Sequence, residues 1–538
     1  MRRKIYINEW LKLKPYKNHS ATDLYYLQLS NTVKKAIHKS NSLMLYKYLN
    51  EKDINLLACF LTSYFEDIIS ETNIWNAFIN KHQELYGKKL PFFNTDNYYE
   101  NEVNTQDVVF LIWYFLNTIQ RDLFINPYNE FIQQLGYDIA LVLEEEYEYA
   151  PENELLKSFY DLPVTDDYYT VRAFLNRIFT QTYLFFTDTM FNLLEEEVDI
   201  IEKNEEDKTL TINYLKENLD EFIFKSTTRL LSLHSKEWAT LILGKEHNLS
   251  EQILNLSSRI CGLFLYKGQN QESIYLEHIA TSKKFDLKKE SFDAHIYLKE
   301  IDTIVYLGMV KWGDEWWFSG ISFQRPFDAD IILDEKSSLE SRINVDILDF
   351  KNNEQKLKEI TEQQKKAFIE YTGGSQIHFL NPTEIDSFLE GYFKYYNMSL
   401  NLNNKEHKKA VERAKKEGLL LEKNQGINIK NDENSALIFF NPISGIEIAF
   451  GVNSAFPAND NPFYNEAESK QAFLELLISK EYSKELVLYC TENYKQKVSF
   501  FKKTPEKLYE KDFDFLLRFF KGANYHSNYN ITLTGKEK

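Results

Sequence analysis

Residues 304–321, IVYLGMVKWGDEWWFSGI, read as two strands joined by Gly313-Asp314, with Trp312, Trp316 and Trp317 gathered around the turn. Two such runs separated by a Gly-Asp pair are expected to close a two-residue hairpin. Position 312 then faces 315, 311 faces 316, and 310 faces 317. Gly308 falls opposite Ser319, where the missing side chain leaves room for a Trp ring. Because side chains alternate along a strand, one face collects Val305, Leu307, Met309, Lys311, Trp316 and Phe318. The other collects Ile304, Tyr306, Val310, Trp312, Trp317 and Ile321. Neither face is polar. Such a hairpin is either sandwiched in a barrel or sheet, or it offers an aromatic surface to a ligand. Burial is the commoner fate of large aromatics, and Trp312, Trp316, Trp317 and Phe318 are the candidate partner-binding residues.

Period-two patterning extends outward from this hairpin. GLFLYKG (262–268), SIYLEHIAT (273–281), KKFDLKK (283–289), IVYLGMVKW and EWWFSGISF (315–323) have the count and spacing of a small closed barrel of SH3-like type. Pro326 marks its end. Upstream, from about residue 22 to 256, apolar residues recur at helical spacing. Val108, Leu111, Ile112, Phe115, Leu116 and Ile119 form one core stripe, and Val171, Phe174, Leu175, Ile178, Phe185, Met190 and Leu194 form another. The prolines at 91, 127, 151 and 163 separate successive helices. The fold class expected is multidomain and mostly α: a helical domain at 1–256, a small β-barrel at 257–330, a connecting helix at 331–370 and an α+β domain at 371–538. In the last of these Thr383 with Asp386 offers a cap for IDSFLEGYFKYY, and strands are expected at GLLLE, ALIFF and GIEIAFG.

Composition narrows the function classes. Aromatics make up 15% of 538 residues, against only 17 Gly and 11 Pro, the balance of a well-packed helix-rich chain. A formal charge of −18 repels nucleic acid and anionic membrane unless a local basic patch intervenes. Cys59, Cys261 and Cys490 are too few and too scattered for a disulfide framework or a thiolate zinc site. The charged opening MRRKIYINEWLKLKPYK lacks a signal-peptide core, and the longest apolar run, VVFLIWYFL at 108–116, falls far short of the roughly 18 residues a membrane span needs. A cytoplasmic location is expected.

Motifs for chemistry are sparse. The acidic runs at Glu144–Glu146 with Glu148, and Glu195–Glu197 with Asp199, could hold a divalent ion, but each ends an apolar helical stripe with no histidine nearby and reads as a solvated face. Asp328-Ala-Asp330 could place two carboxylates on one side of an extended segment and, with a third carboxylate from elsewhere, hold magnesium as nucleases and phosphoryl transferases require. There is no HExxH pattern, no phosphate-binding glycine loop and no GxSxG elbow. The strongest basic feature is the run Lys405, Lys408, Lys409, Arg413, Lys415 and Lys416, of which a helix would gather 405, 408, 409, 413 and 416 on one broad face as a candidate phosphate contact. Glu406, Glu412 and the global charge oppose that use. No catalytic residue, cofactor or metal is expected from these patterns.

The segments KIYINEWLKLKPYKNHSATDLYYLQLSN, DVVFLIWYFLNT, EWWFSG and NPISGIEIAFGVNSAFPANDNPF resemble an uncharacterised bacterial family known only as a domain of unknown function. The resemblance implies no activity, ligand or catalytic residue. On the residues themselves, the expectation is a non-catalytic interaction or adaptor protein with a protein partner. The alternatives are nucleic-acid association through the 405–416 helix and a metal-dependent hydrolase.

Overall fold

A computed structural model describes residues 4–39, 44–204, 207–338, 341–342, 345, 350–400, 403, 405–406, 408–409, 412, 435–502, 505–527 and 529. The chain divides into two compact units, residues 1–347 and 348–538. In the first, twelve described helices precede the strands: α1 (Ile7–Trp10), α2 (Ala21–Lys39), α3 (Glu51–Ser70), α4 (Ile74–Tyr86), α5 (Thr105–Ile119), α6 (Glu130–Glu144), α7 (Glu154–Phe159), α8 (Tyr168–Gln181), α9 (Phe191–Lys203), α10 (Lys208–Lys225), α11 (Ser235–Leu243) and α12 (Ser250–Leu254). Prolines 91, 127, 151 and 163 all fall in the connections. Short polar residues start the helices by accepting orphan N–H groups. Asn50 takes Lys52 and Asp53, Asp167 takes Tyr169 and Thr170, and Asp207 takes Thr209 and Leu210. α5 is buried on every side from Asp107 to Thr118, so the run at 108–116 is a core helix.

The barrel follows as β1 (Ile260–Gln269), β2 (Ser273–His278), β3 (Lys284–Lys288), β4 (Ile304–Trp312) and β5 (Glu315–Arg325), closed in the order β1-β2-β3-β5-β4. The hairpin register is as the turn dictates: Trp312 pairs with Glu315, Lys311 with Trp316, Val310 with Trp317 and Gly308 with Ser319. A bulge between Leu307 and Gly308 then shifts the pairing. Closure comes from a parallel contact of Leu287 with Trp316. Inside, the rings of Phe264, Phe285 and Trp316 pack edge-on in series, 5.8 and 5.1 Å apart. α13 (Ala329–Ser337) follows, capped by Asp328.

The second unit contains α14 (Phe350–Tyr371), β6 (Ile377–Leu380), α15 (Ile385–Ser399), β7 (Ala436–Asn441), β8 (Gly445–Phe450), α16 (Ser469–Ile478), α17 (Lys484–Tyr494) and α18 (Phe513–Phe520). Its antiparallel sheet, β6-β7-β8, buries Ile438 and Phe440 against Phe368, Tyr392 and Phe393 of α14 and α15. The strands at ALIFF and GIEIAFG are present, and GLLLE lies outside the described residues. The cap preceding α15 differs from expectation. Asn381 and Glu384 form the capping box around Pro382, two residues before Thr383, because the proline presets the first turn. Lys405, Lys408 and Lys409 are helical, while Arg413, Lys415 and Lys416 lie outside the described residues.

Candidate functional site

The hairpin divides its four candidate residues between two faces, Trp316 and Phe318 on one and Trp312 and Trp317 on the other, and the chain's own side chains cover much of both. Capping by Asp167 starts α8 so that Tyr168 and Tyr169 reach the hairpin. Their rings lie 6.1 and 5.8 Å from that of Trp317. The Tyr169 hydroxyl donates to the carbonyls of Ser291 (2.8 Å) and Phe318 (3.1 Å), and Trp312 Nε1 donates to the Asp166 carbonyl at 3.0 Å. Trp312 is 3% exposed and Trp317 4%. Trp316 packs on Phe285 inside the barrel, and Phe318 on Phe292 at 5.0 Å. At the hairpin tip an open cleft of about 400 Å³ carries Glu272, Asp286, Glu290, Asp314 and Glu315 around Lys288. Lys288 Nζ pairs with Glu315 (2.8 Å) and Glu290 (3.0 Å) and lies 4.4 Å from the centre of the Trp317 ring.

Behind the hairpin, α10 is tied to the barrel by an ion pair. Arg259 Nη2 donates to Glu217 Oε1 at 2.6 Å and to the Ser319 carbonyl at 3.2 Å. Glu217 also accepts the Tyr306 hydroxyl (3.2 Å) and the Ile321 N–H (3.1 Å). The space at Gly308 is therefore filled by a guanidinium, correcting the expectation of a Trp ring. A Cβ at Gly308 would collide with Arg259 and with the Ser319 carbonyl, and one at Gly320, whose φ is +90°, would collide with Glu217 and Arg259. Arg172 and Asp220 form a second pair between α8 and α10. Residues 256 and 257 both lie within the first unit.

Other titratable groups are absorbed by structure. Lys14 pairs with Glu66 in full burial, and Glu66 also accepts Asn153 Nδ2 at 2.8 Å. Burial raises the Glu66 carboxyl against the pull of Lys14. Asp67 takes the Ile74 and Trp75 N–H groups and so serves as the N-terminal acceptor of α4. Asp107, pushed up to about 7 by burial, accepts the hydroxyls of Tyr64 and Tyr98 at 2.8 and 3.0 Å. Asp328, half of the D-x-D candidate, accepts the Asp330 and Ile331 N–H groups of α13.

In the second unit Lys521 is buried, donates to the Ser479 carbonyl and is driven down to about 7 by desolvation. Its folded pKa lies below its ordinary 10.5, so between about 7 and 10.5 the folded state binds fewer protons than the unfolded. Stability of this unit should therefore rise with pH across that window. Lys521→Met is expected to flatten the rise and to stabilise the unit at pH 7, read by hydrogen exchange over residues 435–527. An unchanged pH profile in the variant would refute the assignment.

An exposed apolar stripe lies on α9. Of the second helical stripe, Val171, Phe174, Leu175, Ile178 and Phe185 are buried, but Leu194 is 40% exposed, contrary to its expected core position. The reason is that α9 is apolar on two sides. At 100° per residue Leu193 and Ile200 share one side, and Leu193 is buried. Phe191, Leu194, Val198 and Ile201 share another, with Val198 50% and Ile201 46% exposed. A shallow open groove of about 380 Å³ is lined by Phe191, Leu194, Glu195, Val198 and Asp199. The run Glu195–Glu197 sits on this helix, and Arg121 holds Glu195 at 2.5 Å.

The first unit is thus a helical array clamped onto a small closed barrel, with an acid-flanked apolar stripe on one of its helices. Residues 4–264 match the model of a family described as Protein of unknown function (DUF3843). The expected resemblance to an uncharacterised family holds over that segment, which includes KIYINEWLKLKPYK and DVVFLIWYFLNT. EWWFSG and NPISGIEIAFG lie beyond it. No curated protein and no solved structure matches the chain. No helix among the described residues is long and apolar enough to cross a membrane.

Proposed function

We propose that this chain is a non-catalytic interaction protein that seats a protein partner on the outer side of α9. The observation that carries the reading is the exposed stripe Leu194, Val198 and Ile201 on a helix already anchored by its opposite side through Leu193. Single exposed apolar residues need no explanation, but three in register, two of them lining a groove, mark an interaction surface. The hairpin residues Trp312 and Trp317 are less suited, since Asp166, Tyr168 and Tyr169 already occupy their contacts. A photo-crosslinking residue at position 198 should trap one discrete partner in cells. The same partner, once purified, should bind the wild-type chain and lose at least tenfold in affinity to Val198→Asp, the cost of about 1.4 kcal/mol at a central contact. Cross-links to many proteins, or binding indifferent to Val198→Asp, would overturn the reading.

A further inference from the structure

Building on that reading of α9, we infer that the partner presents a basic amphipathic helix. From Phe191 to Ile201 the stripe rises about 15 Å, three turns, at 1.5 Å per residue, which is the footprint of another helix laid along it. The backbone groups of α9 are spent within the helix, so strand addition is not open to it and a helix packing through i, i+3 and i+7 anchors is. Charge selects the kind of helix. α9 carries five carboxylates, at 195, 196, 197, 199 and 202, against the single Lys203. On the helical wheel Glu195, Asp199 and Glu202 border one edge of the stripe and Glu197 the other. Arg121 engages Glu195, Asn218 donates to Glu196 at 3.2 Å, and Lys203 lies 4.0 Å from Asp199. Exposed Glu202, and Asp199 at the far limit of its contact with Lys203, lie along the rim to meet cations. A second copy of α9 would set carboxylate against carboxylate, and an anionic lipid surface or nucleic acid would meet the same repulsion. Lysines or arginines beside an apolar stripe answer both features at once.

The test uses the full-length chain and dye-labelled synthetic helices of roughly 20 residues, long enough to populate helix. One carries Leu at i, i+3 and i+7 with flanking Lys, the second replaces each Lys with Glu, and the third scrambles the Lys sequence. By fluorescence anisotropy at about 0.1 M salt, the Lys helix should bind at least tenfold tighter than either control. Binding should be lost with Val198→Asp, and preference should pass to the Glu helix when Asp199→Lys and Glu202→Lys are combined. Trp fluorescence melts identical to wild type would show these surface variants folded. Equal binding of the scramble, or no effect of the charge reversal, would overturn the inference. A discrete partner trapped at position 198 alongside that failure would leave the interaction reading standing and remove only its basic-helix form, whereas failure of both would remove both.

Discussion

Replacing Glu217 with alanine is expected to lower the unfolding free energy of the first unit by about 3–5 kcal/mol, the usual effect of stranding one partner of a buried ion pair. Arg259 would keep its charge at 3% side-chain exposure with only the Ser319 carbonyl at hand. The Tyr306 hydroxyl and the Ile321 N–H would lose their acceptor as well. Combining Glu217→Leu with Arg259→Met removes the charge together with its counter-charge and should recover part of the loss, ending about 1–3 kcal/mol below wild type, because the Tyr306 hydroxyl, the Ile321 N–H and the Ser319 carbonyl still lack their partners. Tryptophan fluorescence reads this unit selectively, since all seven Trp lie between residues 10 and 317. Urea midpoints for the three proteins decide the matter. A single variant less than about 1 kcal/mol below wild type would mean that the clamp is solvated and does not hold α10 to the barrel.

That clamp also shows why part of the fold could be read in advance and part could not. The hairpin was legible because its determinants are local: a two-residue turn fixes the register, and the register fixes that Gly308 meets Ser319. What fills the space at Gly308 is set by Arg259, 49 residues away, paired to Glu217 a further 42 residues upstream. No periodicity links such positions. The α9 surface failed for a different reason. Helical spacing treats every apolar position alike, so a helix with two apolar sides, Leu193 with Ile200 and Leu194 with Val198, reads as one broad core stripe. The doubled pattern FNLLEEEVDII was itself the available signal: its outward half continues the stripe to Ile201 while four carboxylates crowd the rest. The cap at Asn381 was missed because N-P-T-E offers two competing acceptors, and the proline decides between them.

Trp317→Ala should cost the first unit about 3–5 kcal/mol, as loss of a buried Trp side chain does elsewhere. Its ring fills the seam between barrel and α8, against Tyr168 and Tyr169 on one side and under Lys288 on the other. A vacancy there weakens two elements at once, since Tyr169 also bridges to the carbonyls of Ser291 and Phe318. The indole Nε1 of Trp317 has no hydrogen-bond partner among the described residues. Trp317→Phe therefore forfeits ring volume but no hydrogen bond, and is expected to cost about 1–2 kcal/mol, well below the alanine variant. The order of the two variants carries the test. If Trp317 were a ligand contact rather than a seam residue, both would melt with the wild type while losing a partner. A Trp317→Ala melting curve superimposable on wild type would return the hairpin to consideration as a binding surface and would take from α9 the argument that Trp317 is already occupied.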